Sequence, residues 1–233
     1  MSRAEDAKRW AMVVLFAMAM AWVEAAVVFY LRTLVGRIDP YQINPLPAQG
    51  RLDGVELLRE AATLIMLACV GGLAGTTGRL RLAYAALAFG VWDIGYYIFL
   101  KQMTGWPGSL LAWDVLFLIP LPWWGPVIAP ISIAVLLIIG GTLVSQFREY
   151  EQPIWPGRLT VFLNLIGAML CLFVFMSDAI GVASKGPEAI RKALPTQFNW
   201  QLFALAWLLM SLPILEMAKR LSRQLGTERP PQP

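Results

Sequence analysis

Four carboxylates stand in stretches where a charge is costly. Glu24, Glu60, Asp93 and Asp114 all fall in strongly apolar sequence, with Arg59 beside Glu60 and the phenols Tyr96 and Tyr97 one helical turn beyond Asp93. Ionisable groups at membrane depth face a bundle interior or a water-filled cavity, and they mark ion paths, proton relays or counter-ions. Arg59 is the one base among them, and three uncompensated negative charges in a low dielectric would be prohibitive. Neutrality must then come from protonation, a bound cation or a water-filled vestibule, or else the acids separately satisfy Trp or Tyr donors, Arg59 and backbone amides between helices. The candidate ligand-binding set is therefore Glu24, Arg59, Glu60, Asp93, Tyr96, Tyr97 and Asp114. Its four acids are the candidate metal ligands. An all-oxygen set suits a divalent cation such as magnesium, calcium or manganese better than zinc or copper. The chain has no histidine, which removes the usual zinc ligand, haem ligand and general base together. Catalytic residues stay unassigned.

Spacing says which faces these groups occupy. Glu24 shares a helical face with Ala17 and Ala21, small residues that let another helix approach closely. It lies roughly 21 Å from the inner end of its helix. Asp93 shares a face with Ala86, Phe89, Gly90, Tyr96 and Tyr97, so the phenols are expected to hydrogen-bond its carboxyl. Glu56 reads as a solvated residue favouring a helix amino terminus. Arg59 is either a snorkelling companion at the headgroups or the internal counter-charge of the group.

The elements that must position these residues follow from composition. Of 233 residues, 58% are hydrophobic and 15% charged, with a mean hydropathy of +0.61. That leaves too little polar surface for a water-facing globule. The basic residues are scattered through short loops and both ends, which excludes a nucleic-acid stripe despite the net charge of +4. Six apolar runs of spanning length lie at about 10–35, 54–77, 80–101, 126–147, 159–181 and 198–219. The expected fold is all-α, a polytopic membrane helix bundle with one transmembrane domain over 1–225 and a disordered tail over 226–233. Between the third and fourth runs, the apolar stretch Leu110 to Ile119 is too short to span and is broken by Pro120, Pro122 and Pro126. It is expected to form a re-entrant or interfacial half-helix, with Ser109 as its cap. Trp106, Trp113, Trp123, Trp124 and Trp200 suit an outer aromatic belt. Cys69 and Cys171 are expected to pack as small hydrophobes, with no disulfide framework. The glycines of GGLAG and the pair Gly140, Gly141 are expected to be packing positions.

Orientation comes from alternate loops. Eleven Lys and Arg fall on the side of the termini and seven, among them Arg32, on the other. This predicts a plasma (inner) membrane protein with both termini in the cytoplasm. Three function classes remain. The first is a protein binding or moving a cation, proton or cationic solute through an acidic site in the outer half. The second is a membrane-embedded enzyme acting on a lipid or polyisoprenoid by carboxyl or divalent-metal chemistry. The third is an accessory subunit of a larger membrane complex. The expected partners are membrane lipid and a small cationic or lipid ligand, with no nucleic acid; the number of subunits is not set by the sequence.

Overall fold

The computed structural model describes residues 3–42, 51–147 and 154–227. Six helices are long and apolar enough to cross a membrane. They are α1 (Arg3–Leu34), α2 (Arg51–Ala74), α3 (Gly78–Thr104), α4 (Ile128–Gln146), α5 (Arg158–Val182) and α7 (Trp200–Thr227). A short α6 (Pro187–Lys192) lies in the loop before α7. The expected polytopic bundle is thus the architecture. Most of the tail expected from residue 226 onward lies outside the described residues, while Gly226 and Thr227 still belong to α7. Six crossings return the chain to its starting face, so residues 3 and 227 share one side.

Helix α3 is the hub, packing extensively against α1, α2 and α4. Small residues allow this. A Cβ on Gly90 would stand 2.6 Å from the Ala134 carbonyl oxygen of α4, and one on Gly141 would stand 2.5 Å from the Ala83 carbonyl oxygen. On the other side, a Cβ on Gly95 would meet Ala21 of α1 at 2.8 Å. Ala17 and Ala21 are both completely buried, as their face demanded. Gly71 of the GGLAG string meets Ala85 in the same way, whereas Gly72 has nothing near it. Helices α5 and α7 form a second unit that meets the first through α4. Cys171 is buried in their interface, but Cys69 is exposed, so only one of the two thiols packs as expected.

The ends of α2 and α3 are tied by polar contacts. Thr77 caps α3, its hydroxyl oxygen accepting from the Leu80 N–H at 3.3 Å. Arg9 and Arg81 donate to the carbonyls of Ala74 and Gly75, satisfying backbone groups that α2 leaves free at its end. At the same face, Trp10 Nε1 donates to Thr142 Oγ1 at 3.0 Å and links α1 to α4.

The segment between α3 and α4 corrects one expectation. It folds back as predicted, but as an antiparallel hairpin rather than a half-helix. Strand β1 (Trp113–Val115) pairs with β2 (Trp124–Pro126), with Asp114 opposite Gly125. Ser109 caps no helix; its carbonyl accepts from the Ala112 N–H at 3.1 Å. Pro120 and Pro122, which lack an N–H, close the turn region where a helix would need donors. The hairpin satisfies its own backbone through Leu116 to Trp123 and Trp123 to Phe117 bonds of 2.8 Å each. Two further bonds, Val127 to Ala112 at 3.0 Å and Ile128 to Leu110 at 2.8 Å, tie it to the start of α4.

The tryptophans also differ from the expected belt. Trp106 and Trp124 are buried, and Trp123 stacks on Phe175 of α5 with its ring 6.4 Å away. Only Trp200 of the five is fully outward, at 45% exposure. The aromatic residues form a packed roof joining the hairpin to α5 and α7 through Phe117, Phe175, Phe198 and Phe203.

The glycine contacts yield a test. Gly90→Ala and Gly141→Ala must displace backbone of the neighbouring helix and are expected to cost about 1–3 kcal/mol each. Gly72→Ala has open space and is expected to leave stability unchanged. Thermal unfolding of the purified variants in detergent separates the two groups.

Candidate functional site

Every residue of the predicted set lies in the half of the bundle away from the termini, where α1, α2, α3 and the hairpin converge. Glu24 sits on α1, Arg59 and Glu60 on α2, and Asp93, Tyr96 and Tyr97 on α3. Asp114 is in β1 and is 1% exposed. All four acids are buried.

Arg59 is an internal counter-charge. Its Nη1 pairs with Glu24 Oε1 of α1, while Nε and Nη2 hold both oxygens of Glu56 at 2.9 and 2.5 Å. Thr63 Oγ1 donates to the other Glu24 oxygen at 3.1 Å. Glu56 is therefore not the solvated helix-end residue expected; it is the second carboxylate on one guanidinium. The two-toothed grip of the guanidinium plane on a carboxylate explains why an arginine occupies this position.

Glu60 holds the hairpin. The Leu118 N–H donates to its Oε2 at 2.9 Å and Oε1 at 3.2 Å. A carboxylate thus supplies the acceptor for a backbone donor just before the proline turn. No cation contacts it directly, although the charges of Arg59, Glu56 and Glu24 all act on it.

Asp114 pairs with a base that the loop count had placed outside. Arg32, on the last turn of α1, donates from Nη2 to Asp114 Oδ1 at 2.9 Å, with the two side chains 11% and 1% exposed. Its Nη1 donates to the Ile38 carbonyl at 3.0 Å, and its guanidinium lies over the Trp106 ring at 4.2 Å. The Val115 N–H also donates to Asp114 Oδ1. Arg32 belongs to the site, and a sequence signal for it existed: it follows Glu24 and Val28 at four-residue steps on the buried face of α1.

The phenols link the two ion pairs. Tyr96 accepts from Arg32 Nη2 at 3.5 Å and feels the charges of Asp114, Arg32, Glu24 and Arg59. Tyr97 is close enough to Asp114 and Asp93 for both charges to act on it. The expected bond from the phenols to Asp93 is not formed among the described residues, since Asp93 Oδ2 has no partner and Tyr96 is taken by Arg32.

Asp93 is the exception among the acids. It is 8% exposed, and its Oδ2 is buried without a hydrogen-bond partner. Asp114 is the neighbouring charge that acts on it. Trp92 Nε1, next in sequence, is also a buried donor without a partner.

The four acids do not form one ligand cage. Among the described residues, no three Asp, Glu or Cys side chains are grouped so as to hold a metal ion. Glu24 is matched by Arg59 and Thr63, Asp114 by Arg32, and Glu60 by a backbone N–H. What remains is a connected polar layer with an excess of acids over bases and one unmatched carboxyl.

The Arg32 and Asp114 pair offers a direct test. Arg32→Gln leaves a buried carboxylate without its cation and is expected to destabilise by about 3–5 kcal/mol. Adding Asp114→Asn should recover most of that loss, read as a rise in the thermal unfolding midpoint of the double variant over the single. No family model matches this chain, and neither a curated protein nor a solved structure matches it.

Proposed function

We propose that this integral membrane protein takes up a proton or a small cation at the acidic layer from the face opposite its termini, with Asp93 as the exchanging carboxyl. One observation carries the reading: Asp93 Oδ2 is buried in the bundle and no donor among the described residues meets it. A buried carboxylate without a partner costs far more than the surrounding packing returns. A proton or cation at that oxygen removes the penalty, and loss to the outer face restores an acceptor.

The neighbours suit this role. Asp114 and Glu24 are already held by Arg32 and Arg59, so they set the local field without being free to exchange. Tyr97 is in electrostatic range of both Asp93 and Asp114 and carries a hydroxyl suited to relay. The excess of basic residues on the face of the termini makes that face the cytoplasmic one. On this reading the acidic layer lies in the outer half of a plasma (inner) membrane.

The test is flux into proteoliposomes holding a pH-sensitive dye, under an imposed proton or alkali-cation gradient. Wild type is expected to carry flux above protein-free vesicles, and Asp93→Asn to lower it at least about tenfold, the loss of an essential exchanging group. The same variant should unfold at an equal or higher temperature than wild type, because it removes an unpaired buried acid. Equal flux in the folded variant, or no wild-type flux with either ion, would refute the proposal.

A further inference from the structure

At the opposite end of the molecule lies a cleft of ≈ 520 Å³ that the acidic layer does not use. It is lined by Arg79 at the start of α3, Trp155 and Gly157 before α5, Arg158 and Val161 on α5, and Arg220 on α7. Three guanidinium groups from three helices thus converge on one opening, on the face that carries the termini.

The local contacts leave this cleft positively charged. Among the described residues Glu216 is the acid at its edge, and its bonds are taken. Its Oε2 accepts from the Gly157 N–H at 3.0 Å and from Thr160 Oγ1 at 2.5 Å, and its Oε1 pairs with Arg220 Nη2 at 2.5 Å. These bonds fasten the loop before α5 onto α7 and fix Arg220 at the wall. Arg79 lies over the Trp155 ring at 5.3 Å, which orients its guanidinium without neutralising it. Arg158 is exposed at the first position of α5, and the Glu216 carboxylate takes the N–H of Gly157 at the N-cap, so the free positive field comes from the Arg79 and Arg158 guanidinium groups.

The surroundings are those of a lipid headgroup. Leu159, next to Arg158, and Phe162, one turn deeper on α5, are 69% and 59% exposed. Trp155 supplies an amphipathic ring at the same level, as interfacial tryptophans do. We propose that this cleft seats the phosphate of an anionic phospholipid. The guanidinium groups bind the phosphodiester, and the acyl chains descend along the exposed apolar face of α5.

The test is native mass spectrometry of the purified full chain with phosphatidylglycerol or phosphatidylcholine added. Wild type is compared with the Arg79→Gln/Arg158→Gln double variant, whose exposed positions leave the Glu216 contacts intact. Wild type should retain phosphatidylglycerol over phosphatidylcholine. The double variant should lose about fivefold in retention per arginine, so about 25-fold together. Inorganic phosphate should fail to displace the lipid. Displacement by inorganic phosphate would overturn the lipid as the source and make the cleft a site for free phosphate. Equal retention of both lipids by wild type, or unchanged retention in a double variant that unfolds at the wild-type temperature, would overturn the site itself.

Discussion

The constraint on which this fold depends is the neutralisation of carboxylates at membrane depth. Lipid offers no water to solvate them, so the protein itself must supply their partners, as it does for Glu24, Glu60 and Asp114. Arg32 and Asp114 show the consequence most clearly. The pair joins the end of α1 to a hairpin 82 residues later, and with the Glu60 contact to Leu118 it holds non-helical backbone against the bundle. Removing the charges would leave the hairpin to its own ladder and the aromatic roof. The position of α4, which begins directly after β2, would then rest on far less.

The two halves of the bundle are built on different physics. Near the termini, α3 meets α4 by backbone approach at Gly141, and dispersion across a close-packed seam carries the contact. Toward the other face, α1 and α2 pack only lightly on each other, and charge pairing through Arg59 bridges them instead. A carboxyl without a donor is tolerable only in such a polar layer, where neighbouring dipoles and charges already shape the field. That is where Asp93 sits, one turn below Tyr96 and Tyr97.

Much of this was legible in the residues. The six spans follow from run length and hydropathy, and the buried face of α1 from the spacing of Ala17, Ala21 and Glu24. The burial of the acids followed from their placement in apolar sequence, but not that Glu24, Glu60 and Asp114 each have a separate partner. Arg32 was missed because a loop charge count treats a helix-end arginine as a solvated one, although its four-residue step from Val28 was visible. The hairpin was missed because a short apolar run suggested a helix by length. The β-branched and aromatic residues Trp113, Val115, Phe117 and Ile119, bounded by Pro120, are a strand signal, but Leu116 and Leu118 between them hide any alternation. The destination of each hydrogen bond was not legible at all. Nothing in the string VWDIGYY says that Tyr96 meets Arg32 of α1 rather than Asp93, since that depends on which element fills the facing space.

The sequence distance between charge partners bears on how the chain is made. Arg59 follows Glu24 by 35 residues, so the two can neutralise each other as soon as α1 and α2 leave the ribosome as a helical hairpin. Arg32 has no such early partner. Its acid is 82 residues downstream, beyond the whole of α3. Until that length has been synthesised, the end of α1 must stay at the lipid headgroups, and its final seating is a late event of membrane insertion.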